Sequence, residues 1–260
     1  MAFDPDRLDR RDAELIATLL PLVRRFCQRY LRLHREGVEH LPQGSAVFVG
    51  NHNGGIFGPD LLCTLGTLWD ALGAGAPLYA MAHDFAMRQF VPLGRLLQRL
   101  GALRACPENA ARVLEAGGQV LVYPGGDLEA YRHAALRDRI VLGERTGFVR
   151  VAQRAGVPIV PIVAHGAHRS AYIFHEGAAI ARALGLHRWG RLDRFPLALA
   201  LPWGLAVGPW TPYLPLPFPI RLRVLPPMAV APDDDPTATR ERVRARMQAA
   251  LDELACAGRA

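Results

Sequence analysis

Apolar positions along the chain fall into two kinds of run, and the difference between them predicts the elements. Longer stretches repeat at helical spacing, and shorter unbroken ones have the length of buried strands. From Ala13 to Val23 only Glu14 and Thr18 interrupt an apolar stretch that leads into Arg24, Arg25, Arg29, Arg32 and Arg35. It predicts an N-terminal amphipathic helix ending near Leu33 to Arg35, with Gly37 at its exit and Pro21 as a kink or break. Ala46 to Val49 predicts a buried strand, and Pro59 starts a helix carrying Leu61, Leu62, Leu65 and Leu68. Leu78 to Met81, Gln119 to Tyr123 and Val157 to Val163 are further strands. Between and after them, Arg88 to Leu100, Pro107 to Glu115 and Phe148 to Arg154 are helical.

Strands alternating with helices predict an α/β fold with a mostly parallel sheet flanked by helices. Ile220 to Leu225 alternates with period two, as a half-exposed strand does. Ala231 to Pro236 is a turn leading to a last amphipathic helix from about Thr237 to Leu254. The length suits a single domain. Its parts are an N-terminal amphipathic segment at 1–37, a central unit at 38–230 and a C-terminal helix at 231–260.

One segment fits neither pattern. Phe195 to Ile220 is uncharged over 26 residues and contains seven prolines. Its length would span a bilayer, but the prolines exclude a continuous helix. The expectation is an extended apolar loop that lines a pocket, dips into a membrane interface or is buried as structure. The N-terminal helix is open in the same way: it lies in the headgroup layer or packs on the core as an ordinary amphipathic helix.

Composition adds a charge. The 31 basic residues are all arginine and the net charge is +7, which suits an anionic lipid surface or acidic carrier as partner. Nucleic acid is disfavoured, because neither zinc-finger spacing nor an aromatic RNA-binding strand is present. Cys27, Cys63, Cys106 and Cys256 lack metal-like spacing and read as free thiols in a reducing compartment. The charged start carries no signal-peptide pattern, so the expected location is cytoplasmic, at the inner face of the membrane as a peripheral protein.

The chemistry concentrates where strands end. Ala46–Val49 delivers Gly50-Asn51-His52-Asn53-Gly54-Gly55 to a carboxyl edge, where open α/β sheets bind ligands. A neutral histidine takes a proton from an alcohol at pH 7 when a carboxylate fixes its tautomer. Asp60 is the nearest candidate partner, with Glu129 the alternative. Gly54 and Gly55 allow a bulky substrate close to the backbone. A second edge carries Tyr123-Pro124-Gly125-Gly126-Asp127-Leu128-Glu129-Ala130-Tyr131-Arg132, whose Pro-Gly-Gly turn offers amides to an anion. His165 and His168 lack a third metal ligand and read as structural or pocket-lining. His83 and Asp84 are adjacent, so they do not face one another as an acid–base pair. Serine-hydrolase, P-loop and dinucleotide fingerprints are absent.

The Asn51-His52 segment resembles the first motif of the glycerolipid acyltransferase superfamily, usually Asn-His, four residues and Asp. Here seven residues separate His52 from Asp60. Tyr123-Pro124-Gly125-Gly126 resembles the third motif, commonly Phe-Pro-Glu-Gly, with Gly125 in the place of the glutamate. Val157-Pro158-Ile159-Val160-Pro161 is similar to the fourth, and the whole resemblance spans about Val38 to Leu225, near the diacylglycerol acyltransferase-like branch.

It implies an acyltransferase with His52 and Asp60 as catalytic residues. Asn51, Gly54, Gly55, Gly125, Gly126, Glu129, Arg132, Arg145 and Arg104 are the implied substrate-binding residues. The substrates implied are an acyl thioester, acyl-CoA or acyl carrier protein, and a lysophospholipid or other lipid acceptor, with no metal or organic cofactor. A silent lipid-binding protein and a thioesterase-like hydrolase are the rival readings.

Overall fold

The computed structural model describes residues 3–55, 58–88, 90–190, 192–209 and 213–258. In chain order its helices are α1 (Ala13–Arg25), α2 (Pro59–Leu72), α3 (Asp84–Arg88), α4 (Val91–Arg99), α5 (Pro107–Glu115), α6 (Gly126–Ala130), α7 (Gly147–Ala155), α8 (Ala178–Ala183), α9 (Leu186–Gly190) and α10 (Pro236–Ala257). The strands are β1 (His34–Glu36), β2 (Val47–Gly50), β3 (Leu78–Ala82), β4 (Ala102–Arg104), β5 (Gln119–Val122), β6 (Ile159–His165), β7 (Tyr172–His175), β8 (Leu197–Ala200), β9 (Gly204–Val207) and β10 (Arg221–Val224).

Seven strands form one sheet in the order β1-β10-β6-β2-β5-β3-β4. The run from β6 to β4 is parallel throughout, and β10 joins it antiparallel to β6. The central strands are apolar on both faces because helices cover both. Val47, Val49, Val120 and Ile159 face α5, α7 and α10, burying Val113, Phe148, Met247 and Leu251. Phe48, Leu121, Val160 and Ile162 face α1 and α2, burying Ile16, Cys63, Leu68 and Trp69. Period-two alternation along each strand thus feeds two cores from one sheet.

The topology places the site. The chain leaving β2 passes through α2 and reaches β3 on one side. The chain leaving β5 passes through α7 and reaches β6 on the other side of β2. Adjacent strands whose connections diverge open a crevice at their carboxyl ends.

Several expectations change. The N-terminal helix ends at Arg25, is followed by a π-helical turn at Phe26–Tyr30, and gives way to β1, which the sequence pattern did not signal. Pro21 does not break α1: it lies on the exposed side, where the carbonyl it leaves unpaired, that of Ala17, meets water. Of the two readings of this helix, packing on the core holds, since Ile16, Leu20 and Val23 join the cluster around α2. The Phe195–Ile220 loop is in part a hairpin: β8 and β9 pair antiparallel, and β7 completes a second, three-stranded sheet. Both faces of that hairpin are apolar, so no alternation betrayed it. The terminal segments are layers of the one core rather than additions to it, as β1 enters the main sheet and Val243, Met247 and Leu254 of α10 are buried.

Candidate active site

Three features fix the backbone that leaves β2. Gly50 is required because a Cβ there would lie 2.5 Å from the Tyr123 ring. Asn51 copies a strand residue with its side chain: its Nδ2 donates to Ala164 O at 3.0 Å, and its Oδ1 accepts from Ala164 N at 2.7 Å. Asn53 Nδ2 donates to the same carbonyl at 3.2 Å. The β2–β6 ladder is in effect prolonged past its last residue, and His52 sits between two anchored neighbours. Asn51, implied as a substrate contact, is 1 % exposed and spends both polar atoms on β6.

His52 Nδ1 lies 3.0 Å from Asp60 Oδ2. On leaving His52 the chain turns at Gly54 and Gly55, whose φ values of +77° and +92° suit glycine and few other residues. Gly58 completes the turn, for a Cβ there would lie 2.1 Å from Asn53 O and 2.3 Å from Asp60 Oδ1. Asp60 occupies the first turn of α2, where the helix amides favour a carboxylate, and its Oδ2 also accepts from Asn53 N at 3.0 Å. Burial pulls the imidazole toward its neutral form. The charge of Asp60, its hydrogen bond and the charge of Glu129 outweigh that pull, so the His52 pKa lies above its ordinary value of 6.5. Tyr123 packs its ring against His52, centroids 4.8 Å apart.

The loop after β5 serves the same histidine from behind. Glu129 Oε2 accepts from His52 N at 2.8 Å, and its Oε1 accepts from Val141 N at 2.9 Å. Arg132 Nη1 donates to His52 O and to Glu129 O, each at 2.7 Å. Its Nε donates to Leu136 O at 3.0 Å, and its Nη2 to Arg137 O at 2.9 Å and to Asn53 Oδ1. A guanidinium has five N–H groups, and all five are committed inside the protein. Glu129 and Arg132 are therefore not placed to hold substrate, as their implied roles required: they clamp the main chain of His52, one on its amide and one on its carbonyl. Nor is Glu129 the partner of the ring, which Asp60 holds.

The glycine amides divide. Gly55 N donates to Ala130 O and Gly126 N to Tyr123 O, both at 3.0 Å, so neither is available to an oxyanion. The amides of Gly54 and Gly125 carry no such bond among the described residues. Gly125 is held by crowding, with Val141 O 2.1 Å from where its Cβ would be.

Beside the crevice lies a cavity of about 400 Å³. Val47, Val120, Val122, Ala110, Phe148 and Val151 give it apolar walls, and Tyr123 belongs both to its lining and to the packing around His52. Arg145 lines it too, donating from Nη1 to Pro124 O at 3.1 Å, with its side chain 47 % exposed. His83 and Asp84 are also in its lining. Arg104 is elsewhere engaged: its Nε and Nη2 donate to Asp6 at 2.8 and 2.7 Å, which corrects its placement as a phosphate contact. His165 Nε2 is 3.5 Å from Asp138 Oδ1, and no group of three or more potential metal ligands occurs among the described residues.

The sequence reading missed Gly50 and Gly58, whose signal is steric and appears only with the fold, and Tyr213, whose hydroxyl donates to Gly54 O. Nothing in the sequence around Tyr123 signals that its ring packs against His52.

A buried His–Asp pair at the switch point of a mostly parallel sheet, beside a cavity with apolar walls, has the chemical make-up to move a proton next to an apolar ligand. The chain belongs to the acyltransferase family, whose model, described as Acyltransferase, matches residues 32–165, more than half of it. An uncharacterized protein of Mycobacterium bovis is 31% identical over 247 residues, covering 92% of this chain and 66% of the relative. One from Mycobacterium leprae is 29% identical with 92% and 64% covered. The chain thus spans about two thirds of the length of these curated relatives. Diacylglycerol O-acyltransferase 1 of Eremothecium gossypii is 33% identical over 116 residues, 43% of this chain and 24% of that protein. The fold is shared with the crystal structure of the 1-acyl-sn-glycerophosphate (LPA) acyltransferase PlsC from Thermotoga maritima, at a TM-score of 0.56 and 16% identity, covering 94% of this chain and 84% of that one. The glycerolipid acyltransferase superfamily that the motifs resemble is the one these matches show.

Proposed function

We propose that the protein transfers a fatty acyl group from a thioester, acyl-CoA or acyl carrier protein, to the hydroxyl of a lysophospholipid or other glycerolipid-like acceptor. The observation that carries this is the 3.0 Å contact of His52 Nδ1 with Asp60, which fixes the tautomer and leaves Nε2 as the base. Nε2 takes the hydroxyl proton as that oxygen attacks the thioester carbonyl. In this scheme the Gly54 and Gly125 amides, which carry no backbone hydrogen bond among the described residues, receive the tetrahedral oxyanion. Its collapse breaks the C–S bond, and the imidazolium returns its proton to the leaving thiolate. No metal or organic cofactor takes part in these steps.

The cavity beside Tyr123 takes the acyl chain in this scheme, since its walls are apolar and a volume of about 400 Å³ falls in the range of small-ligand sites. Arg145 at its lining meets a phosphate of donor or acceptor. Arg145→Gln then raises the KM for the phosphate-bearing substrate by about 10- to 150-fold, as expected for a charge-assisted contact worth about 1.5–3 kcal/mol. Because the guanidinium touches no reacting atom, kcat stays within about twofold. An unchanged KM for both substrates removes Arg145 from the site.

The test of the function is labelled acyl-CoA and acyl carrier protein supplied with a panel of lipid acceptors, following thiol release and acyl product together. Acceptor-dependent release supports transfer. Release of equal size without acceptor makes the protein a thioesterase, and lipid binding without release makes it a silent binder. The silent reading drew its force from the wide spacing of His52 and Asp60, which the fold-back through Gly54, Gly55 and Gly58 closes.

A second expectation concerns pH. The base is neutral imidazole, so activity rises with pH through a pKa above 6.5, burial being outweighed by Asp60. Asp60→Asn removes that charge and leaves burial, so the acid limb moves to lower pH. The Asn53 amide still demands an acceptor at the Oδ2 position, so the side-chain oxygen stays there and the tautomer is kept. The maximal rate falls on the order of 10²-fold, because the imidazolium loses its counter-charge. A limb that moves upward refutes the pairing.

We place the work of the protein at the membrane surface, as a peripheral enzyme on the cytoplasmic side. No helix among the described residues is long and apolar enough to cross a bilayer, and the lipid acceptor and the net charge of +7 support this placement.

A further inference from the structure

The sheet of β7, β8 and β9 has an inner and an outer face, and both are apolar. The inner face is ordinary core: Ile173, Ala198, Ala200 and Ala206 pack with Ala130, Tyr131 and Leu192. The outer face is not. Register pairs Tyr172 with Leu199 and Leu199 with Leu205, a continuous apolar row across all three strands. Leu199 is 53 %, Leu205 54 % and Trp203, at the tip of the β8–β9 hairpin, 57 % exposed. Phe174, Val207, Leu201 and Leu214, the last bridged to Leu201, extend it. Antiparallel sheets with one solvated face turn polar residues outward. An apolar face of this extent marks an interaction surface.

Its rim supplies the second half of the argument. The chain returning from the hairpin is tied to the segment after α1: Tyr30 Oη donates to Pro215 O at 3.0 Å and Arg32 Nη2 to Pro217 O at 2.6 Å. Arg25, the last residue of α1, and Arg29 and Arg32 of that segment are exposed, as is Phe218 beside Pro217. No acidic residue occurs from Phe195 to Ile220. An aromatic and aliphatic face bordered by arginines is complementary to an interfacial layer with anionic headgroups.

We propose that the outer face of β7–β9, led by the Leu201–Trp203 tip, seats in the interfacial layer of an anionic phospholipid bilayer, with Arg25, Arg29 and Arg32 on its headgroups. Arg25 ends the N-terminal helix and Arg29 and Arg32 follow it, while Ile16, Leu20 and Val23 of that helix are spent on the core. The placement has a consequence that rests on the lipid-acceptor reading above. Tyr213, from the same return limb, donates its hydroxyl to Gly54 O, and Ser170 Oγ lies 3.3 Å from that hydroxyl. The protein side of the membrane-seated sheet is therefore joined to the loop that carries His52, so an acceptor hydroxyl reaches the base without its tails leaving the bilayer surface.

The test is co-sedimentation of the whole chain with vesicles of phosphatidylcholine alone and of phosphatidylcholine with phosphatidylglycerol. Wild type binds the anionic vesicles and binds the neutral ones more weakly. L199S/W203S/L205S weakens anionic-vesicle binding by at least about tenfold, and R25Q/R29Q/R32Q abolishes the preference for anionic lipid. All six side chains are exposed, so both variants fold, which circular dichroism checks. As an independent readout, brominated lipid quenches tryptophan fluorescence in wild type and loses most of that effect in W203F. Equal binding by wild type and the triple serine variant overturns the proposal. So does a concentration-dependent dimer that the triple variant abolishes, since a second copy would then cover the face. Turnover on a short-chain, water-soluble acceptor stays unchanged in the triple variant. Vesicle binding without turnover in wild type overturns the enzymatic reading alone, and turnover without vesicle binding overturns this one alone.

Discussion

Replacing His52 with alanine lowers acceptor-dependent thiol release by on the order of 10²–10⁴-fold, the contribution of a positioned general base. The loss falls on kcat, because the ring contributes nothing to the apolar cavity, whose lining does not include it. It also leaves Asp60 with the Asn53 amide as its remaining partner, at a cost of about 1–3 kcal/mol. That is a fraction of the stability of an ordinary domain, so the variant folds and its melting transition remains cooperative. Turnover near the wild-type rate in a folded variant removes His52 from the chemistry. Conversely, parallel loss in the Asp60→Asn variant with a displaced acid limb ties both residues to one proton.

The part of this arrangement that was legible in the sequence is the part encoded locally. Ala46–Val49, Val120–Tyr123 and Val157–Val163 are unbroken apolar runs of strand length, and the structure places each in the centre of the sheet, where two helical layers cover it. His52 was legible because it follows such a run directly. The His52–Asp60 contact was not, because a spacing of seven residues says nothing about a turn built on two left-handed glycines and a Gly58 that tolerates no side chain. Glu129 and Arg132 show a different failure. They are the charged residues nearest the Pro-Gly-Gly turn, and proximity in sequence suggested substrate contacts. Their partners are His52, at separations of 77 and 80 residues, which only the adjacency of β2 and β5 brings together. The hairpin of β8 and β9 was hidden for a third reason. Alternation reports a strand only when its two faces differ in polarity, and Leu197–Ala200 puts leucine outward and alanine inward.

Replacing Arg132 with methionine separates a clamp from a substrate contact. The side chain is 1 % exposed and its five N–H groups serve four carbonyls and Asn53. Methionine fills similar space and restores none of them. Burial pulls the guanidinium pKa down, and the charges of Glu129, Asp60 and Asp138 act against that pull without cancelling it. Leaving buried carbonyls without donors costs about 1–3 kcal/mol each, and partial relaxation leaves about 3–5 kcal/mol in total. For a chain of this size that lowers Tm by roughly 6–20 °C. Below the transition the variant keeps its substrate KM values, since the lost bonds hold the His52 carbonyl and the Glu129 loop and not a ligand. Its kcat falls, because displacing the base by about 1 Å costs on the order of 10²-fold. Arg132→Lys does not rescue it: three donors on a point charge cannot meet five acceptor positions laid out for a planar fork. A variant with full thermal stability and a raised acceptor KM would return Arg132 to the substrate-binding role the family resemblance implies.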